Sequence, residues 1–522
     1  MSAITPKPPL FNASSRSPWF WIGMAGIFLF SLALRFWGLS RFNTLVFDEI
    51  YYARFASHFL KGEIIFTGHP PLSTYIIEFG IWLGEKMPWG DRTLKNGLAG
   101  LLISPFSYRW LNALTGSVLP LVMAAIAYQL SYRRSYALIA GLLLSMDGLF
   151  LVESRYALNN VYLLLFGLLG QLFFLIALRA QGWQRWLWLG LAGIGFGASA
   201  AIKWNGLGFL LGAILIWSAG WILQWVRLKS AKGEEGDRLP TNFFSSQTPF
   251  QNLTQLHLGH AFVCFAAIPL LVYYLCWLPY MQIDPSGDSF WTLQVKTYDY
   301  HKRVGGVSAH PYCSLWFTWP LMLRPIAYFY RTSNSVNELP SVVGPPLPQA
   351  AGSVIYDVHA MGNPFLWWFS TAAIVLLFGL FAHQTWQWLA RWVSETSLTA
   401  KSGAESSPGF STSAAGNPSG LNTQSWLVLY LALNWSANLL PWLEVTRCAF
   451  LYHYMESLVF ALLGLALVVD RWLHSPLRAR RRLGFGILAL IFIAFIFWMP
   501  IYLGLPLSPI EIQMRRWLPS WI

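Results

Sequence analysis

The sequence predicts an all-α, polytopic membrane protein with about 11 transmembrane helices, and three observations support this fold class. The 522 residues are 55% hydrophobic and only 11% charged, whereas a soluble domain carries about 25% charged residues. The mean hydropathy is +0.46. The third observation is a series of apolar runs of roughly 20 residues, the length that a helix needs to cross a bilayer. A chain with so little charge cannot solvate several soluble domains, so that class is excluded.

The first apolar run covers about 18–39 and follows a short leader that contains Lys7 and Arg16. Because its core is long and it ends without a small-residue cleavage site, we predict an uncleaved span with the N-terminus in the cytoplasm. The remaining runs lie at approximately 108–130, 135–152, 157–178, 186–202, 204–226, 258–280, 363–390, 425–441, 450–470 and 483–504. This alternation places the C-terminus outside the cytoplasm.

The net charge of +13 arises from 35 Lys+Arg against 22 Asp+Glu. The basic residues concentrate in short segments between apolar runs, as in the pair Arg133-Arg134 and in Arg480-Arg481-Arg482. This is the positive-inside topology signal, and such segments also retain anionic membrane lipids. The sequence shows no basic face interleaved with aromatic residues at the spacing of a soluble domain. Membrane lipids are therefore expected partners, and nucleic acid is not.

All 522 residues are expected to form one transmembrane domain with two long external segments. The first external segment, 40–107, contains amphipathic stretches at 50–60 and 72–83 that are suited to helices along the membrane surface. The second, 281–362, is rich in Trp, Tyr and Pro. Residues 396–424 are rich in Ser, Gly, Ala and Thr, which predicts a flexible cytoplasmic linker.

The four cysteines give little information about function. Cys264 and Cys276 lie in one apolar run, whereas Cys313 and Cys448 fall in segments predicted outside the cytoplasm. A Cys313–Cys448 disulfide is possible in such a compartment, but we predict two unpaired thiols. No CxxC spacing is present, so the sequence does not support a structural metal site.

An acid pair, Asp48-Glu49, follows the first span after one short loop and is flanked by aromatic residues. Such surroundings favour a partly desolvated carboxylate with a raised pKa, which suits a general base. The alternative is a solvated helix N-terminus, where the helix dipole favours acids. His69-Pro70-Pro71 follows about twenty residues later; the prolines can hold the histidine near the carboxylates, or they can simply form a turn.

Five cationic residues are predicted on or near the same outer side as the acid pair. A long basic side chain often extends from a span to the interface, and this is the simpler interpretation of each residue alone. Together they favour a site for phosphate oxygens, and hence for a phosphorylated lipid of the outer leaflet. These residues are Arg35, Arg109, Arg155, Lys203 and Arg324. His453, between two tyrosines, is suited either to donate to a phosphate or to lie in an aromatic belt.

Several motifs, in the same order along the chain, resemble protein O-mannosyltransferases, which are multispanning enzymes of the GT-C glycosyltransferase class, family 39. The first is Val46-Phe47-Asp48-Glu49 with His69-Pro70-Pro71 after it. The others lie at 107–111, 146–155, 202–207, 319–325, 361–364 and 452–454. The resemblance covers nearly the whole chain, and an ordered set of motifs is much more specific than any one of them.

The resemblance implies a GT-C fold and an inverting transfer of mannose from a polyprenyl-phosphate mannose to a Ser or Thr hydroxyl of a protein. It implies that Asp48 is the general base and that Glu49 positions the acceptor or the base. It also marks Arg109 and Arg35 as functionally important arginines. We add Lys203 and Arg324 as phosphate ligands on chemical grounds. No metal or other cofactor is expected, because the adjacent Asp and Glu are too few ligands.

The chain departs from the family pattern in two places. The segment 281–362 is too short for the MIR domain of eukaryotic relatives, which favours a bacterial inner membrane with the site facing the periplasm. The family often has an acid shortly after the arginine in the region of Arg155, but this chain has Asn159 and Asn160 there. A charge-dependent role at these two positions is therefore in doubt.

Two other functions are consistent with parts of the sequence. One is a GT-C enzyme that moves another sugar from a polyprenyl phosphate to a lipid or envelope glycan, in the manner of aminoarabinose transferases; the fold and donor class would be the same. The other is a transporter of the lipid-linked sugar. A transporter predicts repeat symmetry and broken helices in mid-membrane, whereas the charges here gather at one face.

Overall fold

The structure is a computed structural model that describes residues 18–88, 95–231, 249–333, 354–401 and 423–522. The described chain is mostly helical, which confirms the predicted fold class. Its helices in chain order are α1 (Pro18–Phe36), α2 (Glu49–Leu60), α3 (Leu72–Gly84), α4 (Pro105–Ser131), α5 (Arg134–Ser145), α6 (Gly148–Glu153), α7 (Asn160–Arg179), α8 (Trp183–Ile202), α9 (Leu207–Ala231), α10 (Leu258–Phe262), α11 (Ile268–Ile283), α12 (Phe290–Arg303), α13 (Pro364–Lys401), α14 (Thr423–Leu439), α15 (Met455–Leu473), α16 (Arg478–Leu503) and α17 (Pro509–Arg515).

Nine helical stretches in these ranges are long and apolar enough to cross a membrane. They contain α1, α4, α7, α8, α9, α10 continuing into α11, α13, α15 and α16, and each coincides with a predicted span. The other two predicted spans correspond to shorter helices. The run at 135–152 is divided between α5 and α6, and the run at 425–441 forms α14, which has 17 residues.

The bundle is organised around α15, whose buried side chains run almost its whole length. Helices α5, α13, α14 and α16 pack against it. Its long stretch of Leu, Val, Ala and Phe is apolar on every face, which is typical of a helix surrounded by other helices. The helices at the rim, such as α1 and α16, expose large apolar side chains as expected for a lipid-facing surface.

Two helix interruptions bring polar groups to one end of the bundle. Between α5 and α6, Asp147 caps the new helix: its Oδ1 accepts from the Phe150 N–H at 3.1 Å. Between α8 and α9 the chain makes a 3-10 turn, Trp204–Gly206. A Cβ on Gly206 would lie 2.5 Å from the Ser199 carbonyl oxygen, so the close approach of this turn to α8 requires glycine.

The first external segment contains α2 and α3, as predicted from the amphipathic stretches at 50–60 and 72–83. It continues into a short hairpin of β1 (Asn96–Leu98) and β2 (Leu101–Ile103). This segment packs on α4 through α3. It therefore covers the end of the bundle at which α1 ends and α4 begins.

A three-stranded antiparallel sheet lies at the same end and was not predicted. Its order is β3 (Ile326–Ser333), β4 (Val354–Ala360) and β5 (Pro506–Leu507). In the register, Ile326 pairs with Ala360 and Ile355 pairs with Leu507. The description all-α therefore holds for the spans but not for this part of the second external segment. Strand β4 is buried along its whole length and packs against α16.

The prediction of two unpaired thiols at Cys313 and Cys448 is wrong. The structure joins them in a disulfide with a Cα–Cα distance of 5.2 Å. The two neighbouring segments were already adjacent through the backbone, because the Cys448 N–H donates to the Gly305 carbonyl and the Ser314 N–H donates to the Ala449 carbonyl. Cys264 and Cys276 remain free thiols.

Some predictions fall on residues outside the described ranges. These are the leader with Lys7 and Arg16 and most of the linker predicted at 396–424. Helix α13 continues to Lys401, so the first six residues of that predicted linker are helical.

Candidate active site

Asp48 begins α2 at the end of the loop that follows α1. Its backbone forms the N-cap of α2, but its side chain makes no capping hydrogen bond, so the carboxylate is not committed to the helix. The preceding residue, Phe47, has φ +51°, which is uncommon for a residue with a Cβ. The Phe47 ring stacks on Tyr328 of β3, with centroids 4.2 Å apart and planes 9° from parallel. This unusual backbone sets the direction in which Asp48 leaves the loop.

Glu49 and Arg109 form a buried ion pair that holds the loop in place. Arg109 Nε donates to Glu49 Oε1 at 2.8 Å and Arg109 Nη2 donates to Oε2 at 2.6 Å. The other Arg109 contacts are carbonyl oxygens of the loop, those of Leu39, Phe42 and Thr44, at 2.8–3.1 Å. Both side chains have no exposed surface. Every nitrogen of this guanidinium is engaged, so Arg109 fixes the loop and has no free donor for a phosphate.

The carboxylate of Glu49 has two further partners, both backbone N–H groups. Oε2 accepts from Val46 at 3.0 Å and Oε1 accepts from Ala157 at 2.9 Å. Glu49 thus links the loop before α2 to the segment between α6 and α7. Of the two adjacent acids, Glu49 is enclosed and paired with an arginine, whereas Asp48 is half-buried and forms no ion pair with an arginine.

Lys203 lies opposite Asp48. It has an extended backbone and connects α8 to the 3-10 turn. Its side chain is only 6% exposed. Three carboxylates, Asp48, Glu153 and Glu456, interact electrostatically with its ammonium group. The ammonium also lies 5.1 Å from the centre of the Tyr452 ring. Lys203, one of the predicted phosphate ligands, is therefore a cation that acts directly on the candidate base.

The environment changes the acidity of both groups. Burial raises the pKa of Asp48 to about 6, although the Lys203 ammonium and a hydrogen bond from Tyr452 act to lower it. Burial lowers the pKa of Lys203, and the nearby Arg447 lowers it further, while the carboxylates around Lys203 act in the opposite direction. A carboxylate with a pKa near 6 is ionised at neutral pH and is still basic enough to accept a proton.

Arg447 is a second cation at this place. It lies in the segment after α14, next to the disulfide residue Cys448, and its Nη1 donates to the Cys448 carbonyl at 3.0 Å. Burial lowers its pKa, whereas Tyr452, Tyr300 and Tyr52 act to raise it. The disulfide and the backbone bonds on either side of it hold the segment that carries Arg447.

His69 lies in this cluster, and His301 of α12 faces it with ring centroids 5.0 Å apart. Burial, the Lys203 charge and His301 lower the pKa of His69 well below its usual value. Burial and the two cations lower the pKa of His301 to about 4. Both rings are therefore neutral at pH 7. His301 donates its one hydrogen bond to the Gly68 backbone carbonyl, whereas His69 can donate to a ligand. The structure thus brings Asp48, Lys203 and His69 into one cluster, which is the first of the two interpretations left open for His69.

Five buried polar atoms around Lys203 have no hydrogen-bond partner among the described residues. They are Nδ1 of His69, Nδ1 of His301, Nε2 of His453, Oδ1 of Asn205 and Oε2 of Glu456. Nearly all buried polar atoms in folded proteins are paired. A concentration of unpaired donors and acceptors beside two cations is typical of a site that binds a polar, anionic ligand.

Three other predicted cations are placed elsewhere. Arg155 donates to carbonyls at the C-terminal end of α1, including those of Leu34 and Trp37 at 2.7 and 2.8 Å, and so caps that helix. Arg35 is buried and bonds to the Ser31 hydroxyl at 2.7 Å. Its charged neighbours are Arg155 and Asp147. Arg324 is half-buried and donates to the Pro311 carbonyl. None of the three is among the groups that interact with Asp48.

His453 lies between the site and a cluster of tryptophans. Its ring packs against Trp442, with centroids 4.4 Å apart, and stacks on Trp319 at 6.0 Å. Its Nδ1 lies 3.0 Å from the Phe450 carbonyl, which leaves Nε2 unpaired. His453 also interacts electrostatically with Lys203 and Arg447. The ring thus lies in an aromatic cluster, and its Nε2 has no partner among the described residues.

Three charged residues of the site were not among the predicted site residues. Glu153 accepts from Tyr328 and from Asn160, the latter at 3.0 Å. Glu456 and Arg447 belong to the cluster around Lys203. A signal was present for Glu456, because a carboxylate inside a predicted span is unfavourable without a partner. Arg447 had no such signal, since it lies in a polar connection.

Two family models match consecutive parts of the chain. Residues 25–283 match the model described as dolichyl-phosphate-mannose-protein mannosyltransferase. Residues 287–521 match the model of the C-terminal four TMM region of protein-O-mannosyltransferase. Together the two models cover both the loop with Asp48 and the segment with Arg447.

Individual proteins are similar over most of the length. A polyprenol-phosphate-mannose–protein mannosyltransferase of Mycolicibacterium smegmatis is 24% identical over 92% of this chain and 88% of its own. The protein of the same name from Mycobacterium tuberculosis is 23% identical over 96% and 92%. The solved Pmt1-Pmt2 protein O-mannosyltransferase complex of S. cerevisiae, bound to the sugar donor, superposes with a TM-score of 0.68 at 14% identity, covering 98% of this chain and 93% of the other. At that identity the superposition shows a shared fold.

Proposed function

The chain belongs to the protein O-mannosyltransferase family of GT-C membrane glycosyltransferases, and on this premise we propose that it transfers mannose from a polyprenyl-phosphate mannose to Ser or Thr hydroxyls of proteins. The observation that carries the proposal is the pair of Asp48 and Lys203. Asp48 is a half-buried carboxylate that makes no capping bond to α2 and accepts a hydrogen bond from Tyr452, and Lys203 is a buried cation that interacts with it electrostatically. The mycobacterial relatives support mannose and a protein as substrates through their names.

The reaction requires one base and one anion-binding site. The hydroxyl oxygen of the acceptor attacks the anomeric carbon of the mannosyl phosphate, and Asp48 accepts the proton of that hydroxyl. The bond from that carbon to the phosphate oxygen breaks, and polyprenyl phosphate leaves with the electron pair. Attack opposite the leaving group inverts the anomeric configuration. A phosphate is a fair leaving group when cations compensate its charge, so a second catalytic carboxylate acting as an acid is not needed.

We assign the donor phosphate to Lys203 and Arg447. Among the described residues they are the two cations that interact electrostatically with the histidines of this cluster, and they also interact with each other. An anion between them relieves this repulsion. His69 is neutral and can add one hydrogen bond. Arg109 and Arg155, also predicted as phosphate ligands, donate to backbone carbonyls of the Asp48 loop and of the end of α1. Arg35 bonds to Ser31 within α1, and its Nε and Nη2 have no partner among the described residues.

Arg447→Gln is expected to raise the Kd for polyprenyl phosphate about 10- to 100-fold, since hydrogen bonds to charged groups contribute about 1.5–3 kcal/mol. The measurement is binding of polyprenyl phosphate to the purified protein in detergent. Arg303→Gln, at the exposed end of α12, removes the same charge and is the matched control. An unchanged Kd for the Arg447 variant would remove this residue from the phosphate site.

The pH profile of transfer is expected to have two limbs. Below the Asp48 pKa of about 6 the base is protonated, so kcat/KM should fall about tenfold per pH unit. At alkaline pH, loss of the Lys203 proton should weaken donor binding earlier than an ordinary lysine would allow, because its pKa is lowered. Initial rates between pH 5 and about pH 10 test this. A profile without the acidic limb contradicts the role of Asp48.

The site is proposed to face the outside of the cytoplasmic membrane. The Cys313–Cys448 disulfide lies at the same end of the bundle as Asp48, and disulfides persist in oxidising compartments such as the periplasm. Labelling of intact cells through a single engineered cysteine in the exposed part of α12 checks the orientation.

Transfer of radiolabelled mannose from polyprenyl-phosphate mannose by the purified protein tests the proposed function. A Ser/Thr-rich peptide, its Ala-substituted counterpart and a lipid extract serve as acceptors in parallel reactions. Label in the first peptide alone supports protein O-mannosylation. Label in the lipid extract alone supports the alternative, a GT-C enzyme with a lipid or glycan acceptor.

A further inference from the structure

The 3-10 turn between α8 and α9 carries an amide next to the phosphate site. Asn205 follows Lys203 by two residues, and its Nδ2 donates to Glu456 Oε1 at 2.5 Å. Glu456 lies in the first turn of α15 and is 1% exposed. This contact joins two elements that are 251 residues apart in sequence. The pair is therefore a fixed part of the tertiary structure at the end of two helices.

The contact uses only one oxygen of Glu456 and only the nitrogen of Asn205. The remaining acceptors, Glu456 Oε2 and Asn205 Oδ1, are buried and have no partner among the described residues. Neither Lys203 nor any other described side chain donates a hydrogen bond to these two atoms. Two adjacent acceptors without donors favour a ligand that brings two hydroxyl groups.

We propose that Glu456 and Asn205 bind hydroxyl groups of the donor sugar and determine which sugar is accepted. The proposal rests on the proposed function, since it takes the phosphate of the donor to lie at Lys203. Glu456 interacts electrostatically with Lys203. The sugar ring is bonded directly to the phosphate, so a phosphate at Lys203 places the sugar next to Glu456. Neighbouring hydroxyls on a pyranose ring match a pair of adjacent acceptors, which the polyprenyl chain cannot do.

This arrangement discriminates between sugars. A buried acceptor that loses its hydroxyl partner stays unpaired, so a site of this type rejects an analogue that lacks the hydroxyl, by up to about 10⁴-fold in favourable cases. An epimer places one hydroxyl on the opposite face of the ring and meets the same penalty. Asp48 contacts the acceptor and Lys203 the phosphate; neither distinguishes one hexose from another.

The test is direct binding of polyprenyl-phosphate mannose and its four monodeoxy analogues to the wild-type protein and to Glu456→Gln and Asn205→Ala. Wild type should lose about 10- to 100-fold in affinity for the analogues that lack a contacted hydroxyl. In the two variants this loss should shrink to less than about threefold for the same analogues, because contacting groups are not additive. A role in folding alone would weaken all five ligands equally.

Asp470→Asn is the matched control. Asp470 is a buried carboxylate on the same helix as Glu456, and it pairs with Arg133, the residue before α5. It should preserve the wild-type pattern of analogues. Equal affinity of the wild-type protein for all five donors overturns the inference. The two acceptors would then bind only water. Binding separates this proposal from the proposed function: hydroxyl discrimination without transfer to any acceptor would refute the transfer reaction and retain the sugar site.

Discussion

Asp48→Asn is expected to reduce the rate of mannose transfer by about 10²–10⁴-fold, which is the usual contribution of a positioned general base. Asparagine has the same shape but cannot accept the proton of the acceptor hydroxyl at neutral pH. The measurement is the single-turnover rate of label transfer from polyprenyl-phosphate mannose to a Ser-containing peptide. Donor binding should change little, because Asp48 is assigned to the acceptor side.

The protein should still fold, so a lost rate can be assigned to chemistry. The Asp48 side chain makes no capping hydrogen bond to α2, and asparagine is as good an N-cap as aspartate. Glu63→Gln serves as a control carboxylate substitution, because Glu63 is exposed and lies three residues beyond the end of α2. Retained turnover in the Asp48 variant would transfer the base role to Glu153, the next carboxylate in the cluster.

Arg109→Met is expected to destabilise the protein by about 3–5 kcal/mol, because it leaves the Glu49 carboxylate buried without its partner. It also removes three bonds to loop carbonyls. The apparent melting temperature in detergent should fall clearly, and transfer should be lost as the loop that presents Asp48 loses its shape. The double variant Glu49→Gln, Arg109→Met should recover part of the stability, since no unpaired charge remains.

The same variant separates two roles for Arg109. A residue that fixes the loop should leave the Kd for polyprenyl phosphate within about threefold of the wild-type value in the folded fraction, as expected for groups that share no contact with the ligand. A phosphate ligand would show the reverse pattern, with weakened binding and a normal melting temperature. That second result would contradict the assignment of the phosphate to Lys203 and Arg447.

The sequence was informative wherever composition and local pattern decide the structure. Nine predicted spans are helices of sufficient length and hydropathy, because burial in lipid requires long apolar segments whose backbone groups are paired internally. The amphipathic stretches at 50–60 and 72–83 became α2 and α3. The loop with Asp48 and the turn with Lys203 were also identified, since charged residues next to apolar spans stand out.

The sequence did not distinguish cations that lie beside the candidate base from cations that bond to the backbone of the loop and of α1. Arg109 and Lys203 looked alike, as charges at the ends of spans. Their difference lies in distant residues: Arg109 meets Glu49 sixty positions away, whereas Lys203 meets Asp48, Glu153 and Glu456 from three other elements. The Cys313–Cys448 pairing, 135 residues apart, was missed for the same reason.

The sequence alone determined that the chain is a helical membrane protein with an acid pair and several cations near the ends of its spans, because hydropathy and charge act locally along the chain. Only the tertiary structure decided which acid is free and which cations face it. Folding places Glu49 against Arg109 and leaves Asp48 opposite Lys203, and this depends on packing among helices far apart in sequence. The contacts that pair Glu49 with Arg109 and place Asp48 beside Lys203 form only when the helices pack together.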